Sequence, residues 1–289
     1  MLKEKIKTYY NLTKPGIIYG NVLTVVGGFL LASRGRVHVA TFAAALCGAS
    51  LVMAAGCVFN NYIDRGIDKK MARTKKRALV SGIVSGRSAL IYATVLGVAG
   101  FLLLAAYTNW LTVGIGAVGI FFYVVVYSVG KRRSVHGTLV GSISGAVPPV
   151  AGYCAASNHF DGGALILFLI LVAWQMPHFY AIAMYRAKDY GAAGIPVLPV
   201  KKGARTTKMQ MLYYILAFTL AVASLSVFGF TGYTYLVVML SLCLLWLRRA
   251  LQGFAKGVDD IRWARRLFGF SLIVLLGFSI MISLDVVLP

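Results

Sequence analysis

Long apolar runs alternate along the chain with short, strongly basic segments. Stretches such as 88–130 and 209–247 contain no Asp, Glu, Lys or Arg, and each is long enough for two passes at about 20 residues per bilayer crossing. Cutting the chain at its charge clusters and turn signals predicts nine spans, at 16–33, 37–58, 88–107, 109–130, 135–156, 162–185, 209–228, 232–247 and 267–287. Helices are the form these spans must take. Backbone N–H and C=O groups in hydrocarbon have to be satisfied within the segment, and the alternation of a barrel strand is absent. The expected fold is all-α, a polytopic membrane protein forming one transmembrane domain over residues 1–289.

Composition agrees with this pattern and excludes a soluble globule. Hydrophobic residues make up 59% of the chain and charged residues only 13%, against roughly 25% charged in soluble domains. The segment before the first span is charged and has no small-residue cleavage site, so the first helix is expected to remain rather than be removed as a signal peptide. Four cysteines (Cys47, Cys57, Cys154, Cys243) lie scattered in apolar segments without metal or disulfide spacing and read as packing residues.

Charge sets the orientation. Of the 29 Lys and Arg residues, all but Arg34 and Arg36 fall at span ends on the side that holds the N-terminus. Basic residues stay in the cytoplasm, so the N-terminus is expected to be cytoplasmic, in a bacterial inner membrane. The same asymmetry, with contact to anionic lipid, accounts for the net charge of +21 and leaves no reason to expect nucleic acid as a partner.

The chain has only eight acidic residues, and three of them, Asp64, Asp68 and Asp189, follow the second and sixth spans on the cytoplasmic side. If the second helix continues beyond its apolar part, Asn60, Asp64 and Asp68 at i, i+4 and i+8 share one face, about 6 Å apart per step. Oxygen ligands at that spacing suit Mg²⁺, which is held by a few carboxylates together with substrate phosphates. Arg73, Lys76 and Arg77 just downstream can grip the remaining phosphate oxygens, and the whole reads as a diphosphate site. A second setting is Trp174-Gln175-Met176-Pro177-His178-Phe179, where Pro177 should kink the sixth span. His178 is an ionisable group inside that span, which marks it as a functional candidate. Gly137, Gly141 and Gly145 form a small-residue face for close packing in the fifth span, and Pro148-Pro149 is expected to break that helix.

These residues carry a specific resemblance. Asn60, Asp64 and Asp68 leading into Met71-Ala72-Arg73-Thr74 and Arg77 resemble the first aspartate motif of the UbiA-type intramembrane prenyltransferases. Tyr127-Ser128 with Lys131-Arg132, Gly145 with Pro148-Pro149, Trp174 to Phe179, and Lys188-Asp189-Tyr190 with Ala193 to Pro199 are similar to the haem O synthase (protohaem IX farnesyltransferase) branch. The resemblance implies nine helices around a central cavity, with Mg²⁺ and diphosphate held by aspartate motifs after the second and sixth helices. It assigns Asp64, Asp68 and Asp189 to catalysis, and Asn60, Asp64, Asp68 and Asp189 to the metal. It further implies diphosphate contacts from Asn60, Arg73, Lys76, Arg77, Lys131, Arg132 and Lys188, and haem contacts from His178 and Trp174. The substrates would be farnesyl diphosphate and haem B, and the downstream partner a haem A synthase or a terminal oxidase. The second motif departs from the superfamily pattern, because Gly191 to Gly194 stand where further acidic residues are usual. Two other readings are an aromatic-acceptor prenyltransferase, which calls for a fuller second motif, and a transporter, for which only His136, His178 and Asp285 approach the required buried ionisable groups.

Overall fold

The computed structural model describes residues 2–288. It is all-helical, with nine helices long and apolar enough to cross a membrane among the described residues, and the chain is an integral membrane protein. A short amphipathic helix α1 (Leu2–Leu12) precedes α2 (Pro15–Ser33), α3 (Val39–Asp68) and α4 (Gly86–Tyr107). The fourth span consists of α5 (Trp110–Phe121), a π-helical turn (Phe122–Val126) and α6 (Tyr127–Arg133). There follow α7 (Gly137–Ser157), α8 (Gly162–Tyr185), the short α9 (Ala187–Ala192), α10 (Leu198–Val227), α11 (Tyr233–Leu251) and α12 (Asp260–Leu284).

The span count agrees with the hydropathy pattern, and the helix ends extend it. α3 runs ten residues beyond the apolar limit at residue 58, α12 begins at Asp260 rather than 267, and α10 opens from Leu198 with a short helical segment set off by a kink at Gly203 (φ 80°, ψ 171°). Helices can continue past the hydrocarbon wherever their polar side chains find partners. The expected break at Pro148-Pro149 is corrected: α7 stays helical through both prolines, as α8 does through Pro177. In α7, Pro149 lies against α2 at a point where Gly28 has no side chain.

Lipid is as apolar as leucine, so helices associate here through close packing and hydrogen bonds rather than through the hydrophobic effect. α2 and α7 meet backbone to backbone: a Cβ on Gly28 would lie 2.0 Å from the Pro149 carbonyl oxygen, and one on Gly152 2.1 Å from that of Val25. α8 is the hub, packing against α7, α10 and α12 with Leu167, Ile170, Met176 and Ala181 fully buried. On the face away from the N-terminus, Asn109 caps α5 by accepting from the Thr112 N–H at 2.9 Å and donates to the Cys154 carbonyl at 2.8 Å. Asp161 caps α8 in the same way, accepting from Gly163 and Ala164. Two of the three residues on which a transporter reading leaned are helix-end residues. His136 is exposed at the start of α7, and Asp285 accepts the Gly232 N–H at 2.8 Å.

Candidate active site

At the N-terminal side of the bundle, α3 carries Asn60, Asp64 and Asp68 down one face, buried at 4%, 8% and 5% exposure. Each meets a cation delivered by another element. The Lys14 ammonium, at the start of α2, donates to Asn60 Oδ1 at 2.7 Å, and the Tyr123 hydroxyl donates to the same oxygen at 3.4 Å. Lys131 at the end of α6 pairs with Asp64, and Arg132 reaches the other Asp64 oxygen at 3.4 Å while donating to the Ile63 carbonyl at 2.9 Å. Arg77, from the loop after α3, pairs with Asp68 at 2.7 Å and donates to Asn61 Oδ1 at 3.2 Å. Asn61 in turn donates to the Leu12 carbonyl at 2.8 Å and so ties α1 to the row.

Two carboxylates thus face four cations. A buried charge is tolerated only when it is paired, and the surplus here is positive, which makes the row a place for a polyanion. Burial pushes the Lys14 ammonium down to about 8; the nearby charges of Arg77 and Lys131 press the same way, and that of Asp64 opposes it. Lys14 also has a left-handed backbone, φ 54° and ψ 62°, a conformation that costs a non-glycine residue on the order of 1 kcal/mol and persists where surrounding structure enforces it.

Local sequence explains how α6 arrives. The π-helical turn at Phe122–Val126 sets Tyr123 against Asn60, and Tyr127 stacks on Tyr123 with ring centroids 6.0 Å apart at 9°. One turn further on, the Lys131 ammonium lies 4.7 Å above the Tyr127 ring. The small-residue face of α7 makes room: a Cβ on Gly137 would sit 2.5 Å from Lys131 Cα, and one on Gly141 2.8 Å from the Tyr127 ring. Gly145 at the next step lies against Gln175 of α8. Gly141→Val is therefore expected to push the Tyr127–Lys131 arm off Asp64 and lower turnover at least tenfold, with membrane insertion unchanged. Assay of the purified variant checks this, and wild-type turnover would mean that the arm tolerates displacement.

The remaining sequence-predicted residues are placed less evenly. Of the basic trio after α3, only Arg77 turns inward; Arg73 and Lys76 are exposed. Lys188 is exposed, and Asp189 is half-buried with Arg186 3.9 Å away. α9 nonetheless lies within electrostatic reach of the first loop. Burial raises the Tyr190 hydroxyl above the usual tyrosine range, and the charges of Arg73 and Arg186 oppose that rise. Among the described residues, no three His, Cys, Asp or Glu side chains gather closely enough to hold a metal.

The donor chemistry of the row itself fits Mg²⁺. It offers two carboxylates and an amide oxygen, all hard donors, and leaves the remaining positions to phosphate and water. Asn60 Nδ2 is buried without a partner, so this amide is committed on its oxygen side alone. His178 and Trp174 lie elsewhere, on the seam between α8 and α12. Trp174 donates to the Ser271 carbonyl at 2.8 Å, and His178 Nδ1 is 2.8 Å from the Ser271 hydroxyl. Sequence reasoning missed Lys14, Asn61, Tyr123 and Ser271. Lys14 carried one legible signal, a cation directly before Pro15 at the mouth of a span.

Residues 21–273 match the model of the UbiA prenyltransferase family. The chain belongs to this family. It is 55% identical over 285 residues to a protein of Sodalis glossinidius (strain morsitans) named protoheme IX farnesyltransferase, covering 98% of this chain and 96% of that one. A protein of the same name from Pectobacterium atrosepticum is 54% identical over the same coverage. Among solved structures, digeranylgeranylglyceryl phosphate synthase superposes with a TM-score of 0.81 at 17% identity, over 98% of this chain and 99% of that one. A UbiA homologue from Archaeoglobus fulgidus bound to GPP and Mg²⁺ gives 0.69 at 15% identity, over 96% and 99%. At those identities the likeness is one of fold, and it extends to all nine spans of this UbiA-family prenyltransferase.

Proposed function

We propose that this prenyltransferase moves the farnesyl group of farnesyl diphosphate onto a vinyl group of haem B, with addition of water, giving haem O and diphosphate. The near-full-length identity to proteins named protoheme IX farnesyltransferase carries this reading, and the excess of cations around a buried carboxylate row supports its diphosphate half. Lys14, Arg77, Lys131 and Arg132 exchange their carboxylate and amide partners for phosphate oxygens, while Arg73, Lys76 and Lys188 attract the anion from the rim. When bound, Mg²⁺ at Asn60, Asp64 and Asp68, with Asp189 the remaining acidic candidate on this side, supplies neutralisation of the diphosphate charge.

The bond between farnesyl C1 and the diphosphate oxygen breaks heterolytically, and the diphosphate leaves with the electron pair. The positive side chains stabilise it as charge builds. A vinyl carbon of haem B forms the new bond to C1, water adds to the resulting carbocation beside the porphyrin, and a proton is released. No protein nucleophile is required. The apolar spans dissolve the farnesyl chain and keep water from the first cation. His178 and Trp174 are assigned to the porphyrin, and Arg132 at the exposed rim to its propionates as well as to phosphate. The basic asymmetry of the chain supports a cytoplasmic N-terminus in the bacterial inner membrane, with a haem A synthase or a terminal oxidase receiving the product.

Mass spectrometry of membrane haems with and without the gene tests the reading. Haem B carrying one farnesyl group and one water is expected only when the gene is present; a prenylated aromatic acid with unmodified haem would overturn it. Side-chain roles are tested separately. Arg77→Ala is expected to raise the KM for farnesyl diphosphate about tenfold, and Lys188→Ala several-fold, whereas Lys256→Ala in the loop before α12 changes neither KM nor turnover. Equal effects at all three would reduce the charges to surface potential.

A further inference from the structure

The seam between α8 and α12 contains a hydrogen-bond arrangement around a buried imidazole. The Ser271 side chain is fully buried, and its hydroxyl donates to the Phe268 carbonyl at 2.6 Å. A serine has one hydroxyl proton, and when it goes to the Phe268 carbonyl the Ser271 oxygen, 2.8 Å from His178 Nδ1, is left to accept from the imidazole. In that arrangement the imidazole donates through Nδ1, and a neutral His178 keeps a bare lone pair on Nε2.

The surroundings leave that nitrogen as the one free polar atom of the ring. Trp174 stacks on the imidazole at 4.6 Å and 25°, and Phe268 covers it at 4.8 Å and 38°. Among the described residues Nε2 has no hydrogen-bond partner, yet it is not one of the sealed, partnerless polar atoms, which are Asn60 Nδ2, Trp246 Nε1 and Ser279 Oγ. An imidazole that donates through Nδ1 and has its faces packed is prepared for metal ligation. Such a ring binds along the axis of a haem through Nε2 at its edge, and a fixed Nδ1–H donor sets its tautomer and orientation.

We infer that Ser271 is a positioning residue that holds His178 with Nε2 presented as an axial ligand to the iron of the porphyrin substrate. This rests on the haem reading above. It adds that the porphyrin is held by its iron, and that the helix supplying the control is α12. The Trp174 bond goes to the Ser271 backbone carbonyl, which alanine retains, so Ser271→Ala removes the hydroxyl and little else.

The test titrates ferric haem B into the purified full-length protein and follows the Soret band. Wild-type protein is expected to give a band characteristic of imidazole ligation, which His178→Gly loses and added imidazole restores. Ser271→Ala is expected to weaken haem binding at least about tenfold, in the range usual for partners of ligating histidines, and Ser271→Thr, which keeps a hydroxyl, to recover most of it. If haem binds with the same spectrum and affinity in His178→Gly and Ser271→Ala as in the wild type, the inference is overturned while the farnesyltransferase reading stands. If wild-type protein takes up no haem and the membrane haems are unmodified, both fail.

Discussion

Asp64→Asn and Asp68→Asn are each expected to lower farnesyl transfer by at least about 100-fold, the scale of losing one preorganised charge contact at a reacting centre, while the protein still inserts and folds. The change is isosteric, and both carboxylates lie near the polar border of the bundle, on the last two turns of α3. Each asparagine keeps one accepting oxygen for a cation that now pairs with the carboxylate: Lys131 or Arg132 at position 64, which bond to different oxygens of Asp64, and Arg77 at 68. The loss therefore falls on the functional pairing of metal and phosphate rather than on the fold. Asp260→Asn is the matched control. Asp260 takes part in an ion pair of its own, 2.5 Å from Lys208, at the start of α12, and removing its charge is expected to leave turnover unchanged. Turnover and membrane yield measured side by side decide the point. Near-normal activity in both α3 variants at ordinary Mg²⁺ concentrations would remove the row from catalysis.

The row was legible in the sequence because it depends on spacing alone. Residues at i, i+4 and i+8 share a face as soon as the helix continues, and α3 does continue to Asp68. The nine spans were legible for a similar reason, since twenty apolar residues in succession have few alternatives. The sequence could not say which cations turn inward. Arg73, Lys76 and Arg77 are equivalent as letters, but Arg77 alone pairs with Asp68, because the Thr74 hydroxyl bonds to the Asp68 carbonyl at 3.0 Å and turns the chain there. Lys14 was counted as one more topology charge, and only the packing of α2 against α3 brings it to Asn60 across 46 residues. Pro148-Pro149 misled for a related reason: the missing donors are a local fact, and α7 continues through both. Ser271 gave no signal at all, because a serine in an apolar helix acquires meaning only from what lies across the seam.

Lys14→Met is expected to raise the KM for farnesyl diphosphate by roughly tenfold to a hundredfold, corresponding to loss of one hydrogen bond from a charged donor. The argument starts from the cost of the lysine's position. Its backbone is left-handed and its ammonium sits close to two other cations, Arg77 and Lys131. Neither feature is offset by the one hydrogen bond that Lys14 makes among the described residues, to Asn60 Oδ1. A diphosphate reverses the balance, since three clustered cations that repel one another become three ligands of one anion, and the strain is offset only in the bound state. Methionine keeps the length and the apolar stem but removes the charge, so binding of the anion weakens while α2 still packs. Lys14→Arg is expected to recover part of the affinity through a permanent charge of different shape. Lys5→Met removes an equal charge from exposed α1 and is expected to leave KM unchanged, which separates a ligand from a topology signal. Steady-state kinetics with varied farnesyl diphosphate provide the measurement, and an unchanged KM in Lys14→Met would return this lysine to the role of an orienting charge at the first span.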